Sequence, residues 1–91
     1  MFYDIVQVVP YEDYTVQVYF EDGKIVSFDV KPLLEKPVFQ PLRDRKIFFD
    51  TCTIMNNTLA WDLSGNRDVA RCVDIDPDML YGLENVADSI A

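Results

Sequence analysis

A chain of 91 residues with 49% hydrophobic and 13% aromatic residues has enough apolar surface for one core and too little length for two. We therefore predict a single domain over residues 1–91. Sixteen acidic and eight basic residues give a net charge of −8, which disfavours direct nucleic-acid binding because phosphate backbones carry the same sign. No run approaches the ~20 apolar residues of a membrane span and no signal-peptide pattern is present, so we expect a cytoplasmic protein without a membrane partner.

The first thirty residues predict three antiparallel strands, at residues 2–9, 14–20 and 24–30. The first strand is rich in β-branched and aromatic residues, and Pro10 closes it because proline supplies no ladder donor. The second alternates strictly, which indicates one buried face. Asp22-Gly23 separates the second strand from the third and suits a tight hairpin, because glycine accepts positive φ.

Prolines divide the middle of the chain. Pro32 fits the first turn of a short helical segment, whereas Pro37 and Pro41 prevent a long helix. Residues 42–50 contain no glycine or proline and have helical spacing of their apolar side chains, so we predict one short helix there.

A second hairpin is predicted between residues 51 and 61, with its turn at Asn56-Asn57, since asparagine tolerates left-handed geometry. A polar loop follows Trp61, and residues 71–75 form a short strand or extended segment. The last predicted element is a helix from Asp76 to about Asn85.

The start of this last helix has a clear physical basis. Asp76 can cap the free amides of the first turn, Pro77 fits the first helical position, and Asp78 favours the positive end of the helix dipole. We therefore predict an α+β fold, mainly one antiparallel sheet of about five to six strands. Its two short helices follow the first three strands and lie at the C-terminus.

Several motifs follow one another in a familiar order. They are Phe20-Glu21-Asp22-Gly23, then Phe28-Asp29, Thr58-Leu59-Ala60-Trp61, and the tail from Asp74 through Pro77 to Leu80-Tyr81. This order resembles a family of short bacterial proteins known only as a domain of unknown function. That family has a Phe-x-Asp-Gly hairpin, a Thr-Ile-x-Trp strand and an Asp-x-x-Pro-x-x-Leu-Tyr tail. The chain departs from the commoner pattern in its longer segment between Asp62 and Val73.

The resemblance implies an α+β fold and a bacterial cytosolic protein without an established activity. Some members of the family resemble components of toxin and antitoxin cassettes, and others carry a fused helix-turn-helix domain. The present chain is too short and too acidic to contain that DNA-binding domain. A protein partner is therefore the stronger implication of the resemblance.

Five acidic residues form the candidate metal site, because carboxylate oxygens suit calcium and magnesium. They are Asp62, Asp68, Asp74, Asp76 and Asp78. The central glycine and the distal glutamate of a helix-loop-helix calcium site do not follow Asp78. Helix capping and a strand end explain Asp76 and Asp78 without any metal, and we favour that interpretation.

The absence of histidine removes the commonest general base and the nucleophile arrangements that depend on it. We therefore expect no enzymatic activity and no cofactor. Cys52 lies in an alternating strand without a basic neighbour, which indicates a core thiol. Cys72 lies beside Arg71. In a chain without a signal peptide, the two cysteines are expected to be reduced.

Our leading hypothesis is a protein-interaction module, an antitoxin-like or regulatory subunit that uses an exposed strand edge or an aromatic patch. Its charge of −8 would steer a basic partner towards it. The candidate contacts are Trp61, Tyr19 and Tyr81, although Trp61 also fits a core position. The alternative is a small divalent-metal-binding domain or enzyme built on the five carboxylates, and self-association through strand edges is left open.

Overall fold

The computed structural model describes residues 4–55, 57–65, 72–84 and 86. Six strands and two α-helices lie in these ranges, together with two 3₁₀ helices. The strands are β1 Ile5–Pro10, β2 Thr15–Phe20, β3 Ile25–Asp29, β4 Cys52–Met55, β5 Thr58–Asp62 and β6 Cys72–Asp74. The 3₁₀ helices are Lys31–Glu35 and Pro37–Arg43, and the α-helices are α1 Arg45–Thr51 and α2 Pro77–Tyr81.

The first sheet has the order β1-β2-β3 and is antiparallel, which confirms three antiparallel strands in this part of the chain. Pro10, predicted to close the first strand, is the last residue of β1 and lies opposite Val16, and residues 2–3 of the predicted strand lie outside the described residues. Val16 and Val18 of β2 are fully buried, as is Val26 of β3. The alternation read from the sequence therefore places one face of this sheet in the core. At the turn between β2 and β3, Gly23 has φ +95, and its N–H donates to the carbonyl of Phe20 at 3.0 Å.

Tyr14 was predicted to begin the second strand, but it lies in a turn before β2 with φ +65. Its ring stands edge-on to Phe48, with 5.2 Å between centroids, and its hydroxyl donates to the carbonyl of Arg43. A non-glycine residue seldom adopts this backbone conformation. The position of Tyr14 therefore follows from its contacts with Arg43 and Phe48, and not from the alternation of polar and apolar residues along the strand.

The connection between the sheets runs through the two 3₁₀ helices into α1. Pro41 lies inside the second 3₁₀ helix, and Asp44 is the N-cap of α1, where its side chain accepts from the N–H of Lys46 at 2.9 Å. The predicted helix at 42–50 therefore begins later, because its first residues belong to the 3₁₀ segment. Thr51, predicted to be in a strand, is the last residue of α1.

The second sheet has the order β4-β5-β6 and is also antiparallel. All five residues of β5 are buried, as expected for a central strand covered on both faces. The predicted second hairpin is confirmed, with Asn57 at φ +60 in its turn, while Asn56 lies outside the described residues.

The prediction of one sheet of five to six strands is wrong, because the six strands divide into two sheets of three. β1 lies against β4, so the two sheets adjoin without forming a common ladder. The register of β1 shifts between Ile5 and Gln7, and the extra residue, Val6, is 59% exposed. A bulge bends a strand and increases its local twist.

The C-terminal helix is shorter than predicted, since α2 ends at Tyr81 and not near Asn85. Its start is as predicted: Asp76 accepts from the N–H of Asp78 at 3.0 Å, and Pro77 occupies the first turn. Gly82 follows as the C-cap and donates to the carbonyl of Asp78 at 3.1 Å. Further along, the N–H of Val86 donates to the carbonyl of Ile25 at 2.7 Å, so Val86 lies beside the start of β3.

One cluster of buried side chains joins both sheets and the connecting segment. Trp61 of β5 is fully buried between Phe39 of the second 3₁₀ helix and Phe48 of α1, at centroid distances of 6.5 and 5.8 Å. This packing leaves the opposite face of the first sheet outside the core.

Candidate interaction surface

The predicted metal site is not assembled by the described residues. In residues 4–55, 57–65, 72–84 and 86, no group of three or more acidic, cysteine or histidine side chains is arranged to hold a metal ion. Asp74 and Asp78 are exposed, and Asp76 caps α2. Asp68 lies outside the described residues. The metal-binding hypothesis is therefore still a prediction, without support from the described part of the chain.

Asp62 has a structural role at the end of β5. It is only 7% exposed, and its Oδ1 accepts from the hydroxyl of Ser64 at 2.8 Å and from the N–H of Gly65 at 3.2 Å. Gly65 has φ +75, so this carboxylate closes a tight turn. The same carboxylate lines a cavity of about 290 Å³ together with Asp50.

The two cysteines are free thiols on the strands that flank β5. Cys52 lies opposite Trp61, and Cys72 lies opposite Asp62. Directly opposed residues share a face, so the two thiols are on different faces of the sheet and two strand spacings apart, about 10 Å. Burial raises the pKa of the Cys52 thiol to about 12, which suits a packing role and not a nucleophile.

Trp61 was predicted as a partner contact or as a core residue, and its indole is completely buried. Among the described residues, no acceptor pairs with its Nε1. A side chain in this position cannot contact a partner at the surface of the folded protein. It is therefore not part of the candidate surface.

Tyr81 connects α2 to the hairpin between β2 and β3. Its ring stands edge-on to Phe20 with 5.0 Å between centroids, and its hydroxyl donates to Asp22 Oδ2. The ammonium of Lys24 lies 4.4 Å from the ring centroid and donates to the Tyr81 carbonyl. The hydrogen bond from the Tyr81 hydroxyl is the main reason that the pKa of Asp22 is lowered. Tyr81 is thus engaged within the chain, and as a partner-binding residue it is still a prediction.

Tyr19 belongs to the outer face of the first sheet, which we define as the side chains that alternate with the buried ones. These are Gln7, Val9, Thr15, Gln17, Tyr19, Ile25, Ser27 and Asp29. The Tyr19 hydroxyl donates to Gln17 Oε1 at 2.9 Å, and the Tyr11 hydroxyl donates to the same oxygen at 2.8 Å. Two hydroxyls therefore hold one amide in place at the centre of the face.

A shallow, open groove of about 530 Å³ lies on part of this outer face, next to the turn between β1 and β2. Two of its lining residues are acidic; the lining consists of Tyr11, Glu12, Asp13, Thr15, Gln17 and Ser27. Asp13 Oδ1 accepts from the Thr15 hydroxyl at 2.6 Å and from the Thr15 N–H at 3.2 Å. The hydroxyl bond is the main reason that the pKa of Asp13 is lowered. This carboxylate therefore stays ionised at neutral pH.

Charge beside the groove is mostly negative. Asp29 ends β3 and lies 3.7 Å from the ammonium of Lys31, in a pair whose side chains are about half exposed. Lys31 also donates to the carbonyl of Asp13 at 3.4 Å. Three carboxylates, those of Glu12, Asp13 and Asp29, thus lie in or beside the groove, together with the ammonium of Lys31. An exposed pair of this kind is weak and leaves the local field acidic.

The sequence did not identify the two residues that organise this surface, Tyr11 and Gln17. Tyr11 follows β1, and Gln17 lies in the middle of β2, so no local pattern brings them together. Their contact depends on the pairing of β1 with β2. The only usable sequence signal was the polar side of the alternating second strand.

The described structure is a small α+β protein of two adjoining antiparallel sheets with an acidic groove on one of them. The family model described as "Protein of unknown function (DUF2442)" matches residues 5–85, and the chain belongs to this family. No curated protein and no solved structure matches it. None of the helices formed by the described residues is long and apolar enough to cross a membrane.

Proposed function

We propose that the protein is an interaction module, an antitoxin-like or regulatory subunit that binds a basic protein partner. The observation that carries the proposal is the acidic groove on the outer face of the first sheet. Glu12 and Asp13 line this groove, and Asp29 lies beside it. Protein surfaces with complementary charge associate faster and more selectively than neutral ones.

The net charge of −8 supports the same proposal. Long-range attraction would bring a basic partner to the chain, and the groove would then provide the specific contacts. Tyr11 is 41% exposed at the rim of the groove, and aromatic side chains are enriched in binding surfaces. The antitoxin-like form of the proposal rests on the family resemblance of the sequence motifs.

The proposal is tested by affinity capture of the tagged full chain from lysate of its source organism, with mass spectrometry and light scattering of the eluate. We expect a stoichiometric basic protein that dissociates at high salt. The double variant Glu12→Gln, Asp29→Asn should reduce the recovery of that protein. The double variant Glu21→Gln, Glu35→Gln is a matched control, because both residues are exposed, neither lines the groove and the change in net charge is the same. Recovery of the homomer alone would refute the proposal.

Thermal melting with saturating calcium, magnesium or manganese separates this proposal from the metal alternative. A ligand that binds only the folded state raises its stability by mass action, by about 2.7 kcal/mol at a hundred times Kd. We expect no shift in Tm with any of the three ions. A shift that Asp74→Asn abolishes would favour the metal site.

A further inference from the structure

We propose that the partner supplies an extended basic segment, which pairs with the edge of β3 at Ser27 and directs its cationic side chains into the groove. This inference rests on the proposed function, because it states how the partner is bound. It concerns the edge of β3 that faces away from β2.

The backbone hydrogen bonds of β3 show which of its groups point outwards. The N–H of Phe20 donates to the carbonyl of Lys24 at 2.9 Å, and the N–H of Val30 donates to the carbonyl of Tyr14 at 2.9 Å. In an antiparallel ladder, bonded and non-bonded pairs alternate. The even-numbered residues of β3 therefore bond to β2, and the N–H and C=O of Ser27 point away from it.

Part of this edge is already covered. The carbonyl of Ile25 accepts from the N–H of Val86, so the start of β3 is paired with that residue. No described residue pairs with the outward backbone groups of Ser27. Within the described part of the chain, the open part of the edge therefore extends from Ser27 to Asp29. Such an edge is a template for another strand.

The groove adjoins this open edge, because Ser27 belongs to both. A strand added beside β3 would place every second side chain on the outer face of the sheet. The side chain opposite Ser27 would lie about 5 Å from it, at the rim of the groove. Side chains longer than this distance, such as lysine and arginine, would reach towards Glu12 and Asp13.

The charges of the groove determine the occupant. Two of its lining residues are acidic, and Asp29 adds a third carboxylate at the end of the open edge. A second copy of this chain is a poor occupant, since it would bring its own Asp29 to the same edge and a further net charge of −8. Long-range repulsion between two chains with this net charge opposes their pairing. A basic, extended segment from another protein can both pair with the open edge and complement the negative charge of the groove.

The experiment uses the purified full chain and two blocked hexapeptides, one of alternating lysine and threonine and one with glutamate in place of lysine. Binding is followed by ¹⁵N–¹H spectra and by amide hydrogen exchange. We expect the basic peptide alone to shift the amide signals of Ser27 and Gln17 and to slow the exchange of the Ser27 N–H. The same basic peptide with every backbone amide N-methylated retains its charge but cannot form the strand.

Two variants at one position test the edge directly. Ser27→Pro removes the outward N–H without removing a bond to β2, and proline is accepted at such edge positions. Ser27→Ala retains the N–H and is the matched control. We expect Ser27→Pro to weaken binding of the basic peptide by at least about fivefold, as for a lost hydrogen bond, and Ser27→Ala to leave it unchanged. If Ser27→Pro does not fold, the N-methylated peptide provides the same comparison.

Equal binding of the methylated and unmethylated peptides would overturn the strand-pairing inference, as would equal binding to both Ser27 variants. Absence of peptide binding would overturn it as well. The proposed function has a separate criterion, because a partner that both Ser27 variants capture equally from lysate would support the interaction module at another surface. Loss of capture by Ser27→Pro alone would support both.

Discussion

Replacement of Trp61 by alanine gives the sharpest test of where this residue lies. The indole is completely buried and packs on Phe39 and Phe48, so its removal deletes a large part of the shared core. A buried Trp→Ala change costs about 3 to 5 kcal/mol. A chain of 91 residues is stable by roughly 5 to 14 kcal/mol, so this change removes a large share of the total. The expected fall in Tm is at least about 12 °C.

Trp61→Phe separates packing from hydrogen bonding. Phenylalanine retains an aromatic ring against Phe39 and Phe48, and it removes the Nε1–H, which no described residue accepts. A buried donor without a partner costs about 1 to 3 kcal/mol, so its removal offsets much of the lost volume. The Trp61→Phe variant should therefore melt much closer to the wild type than Trp61→Ala does.

The assay for both variants is thermal and urea unfolding followed by far-ultraviolet circular dichroism, because both variants lack the only tryptophan. Val38→Ala is the control, since Val38 is 63% exposed and its truncation should change stability by less than about 0.5 kcal/mol. A Trp61→Ala variant that melts within a few degrees of the wild type would refute the buried position. It would restore Trp61 as a candidate surface contact.

Three further predictions concern local features. Gly23→Ala should cost about 1 to 2 kcal/mol in urea unfolding because φ is +95, whereas Gly82→Ala, with φ −74, should be neutral or slightly stabilising. Cys52 should resist iodoacetamide at pH 8 until urea unfolds the chain. Because its folded pKa is raised to about 12 from 9.0, its contribution to stability is complete below pH 9 and is lost as the pH rises towards 12. The folded pKa of Asp22 is lowered, so its contribution is present above pH 3.8 and is lost as the pH falls below that value. An NMR titration of Tyr81→Phe should show this pKa moving up towards 3.8.

The elements that could be predicted from the sequence are those determined by residues close to one another in the chain. The turn at Gly23 needs positive φ, and the start of α2 needs an acceptor at Asp76 followed by Pro77, so each is specified within a few positions. The alternation of polar and apolar residues in β2 likewise indicates which face of this strand is buried. These features require no knowledge of the rest of the chain.

The division into two sheets could not be read in the same way. Six strands with similar composition can pair in several orders, and alternation does not state which edges meet. The shift in register at Val6 and the packing of β1 against β4 depend on how distant strands meet, and no local pattern in the sequence shows this. The burial of Trp61 follows from the same arrangement, because Phe39 and Phe48 cover it from a different part of the chain.

Salt dependence decides between a basic partner and self-association at the open edge of β3. Two copies of the chain, each with a net charge of −8, repel each other. Salt screens this repulsion, because the Debye length falls from ~10 Å at 0.1 M salt to ~3 Å at 1 M. Added salt should therefore weaken the complex with a basic segment but favour pairing between two copies. We expect light scattering of the purified chain to show the same mass at both salt concentrations, while the affinity for the basic hexapeptide falls steeply. A dimer that forms at high salt and is abolished by Ser27→Pro would instead assign the edge to a second copy of the chain.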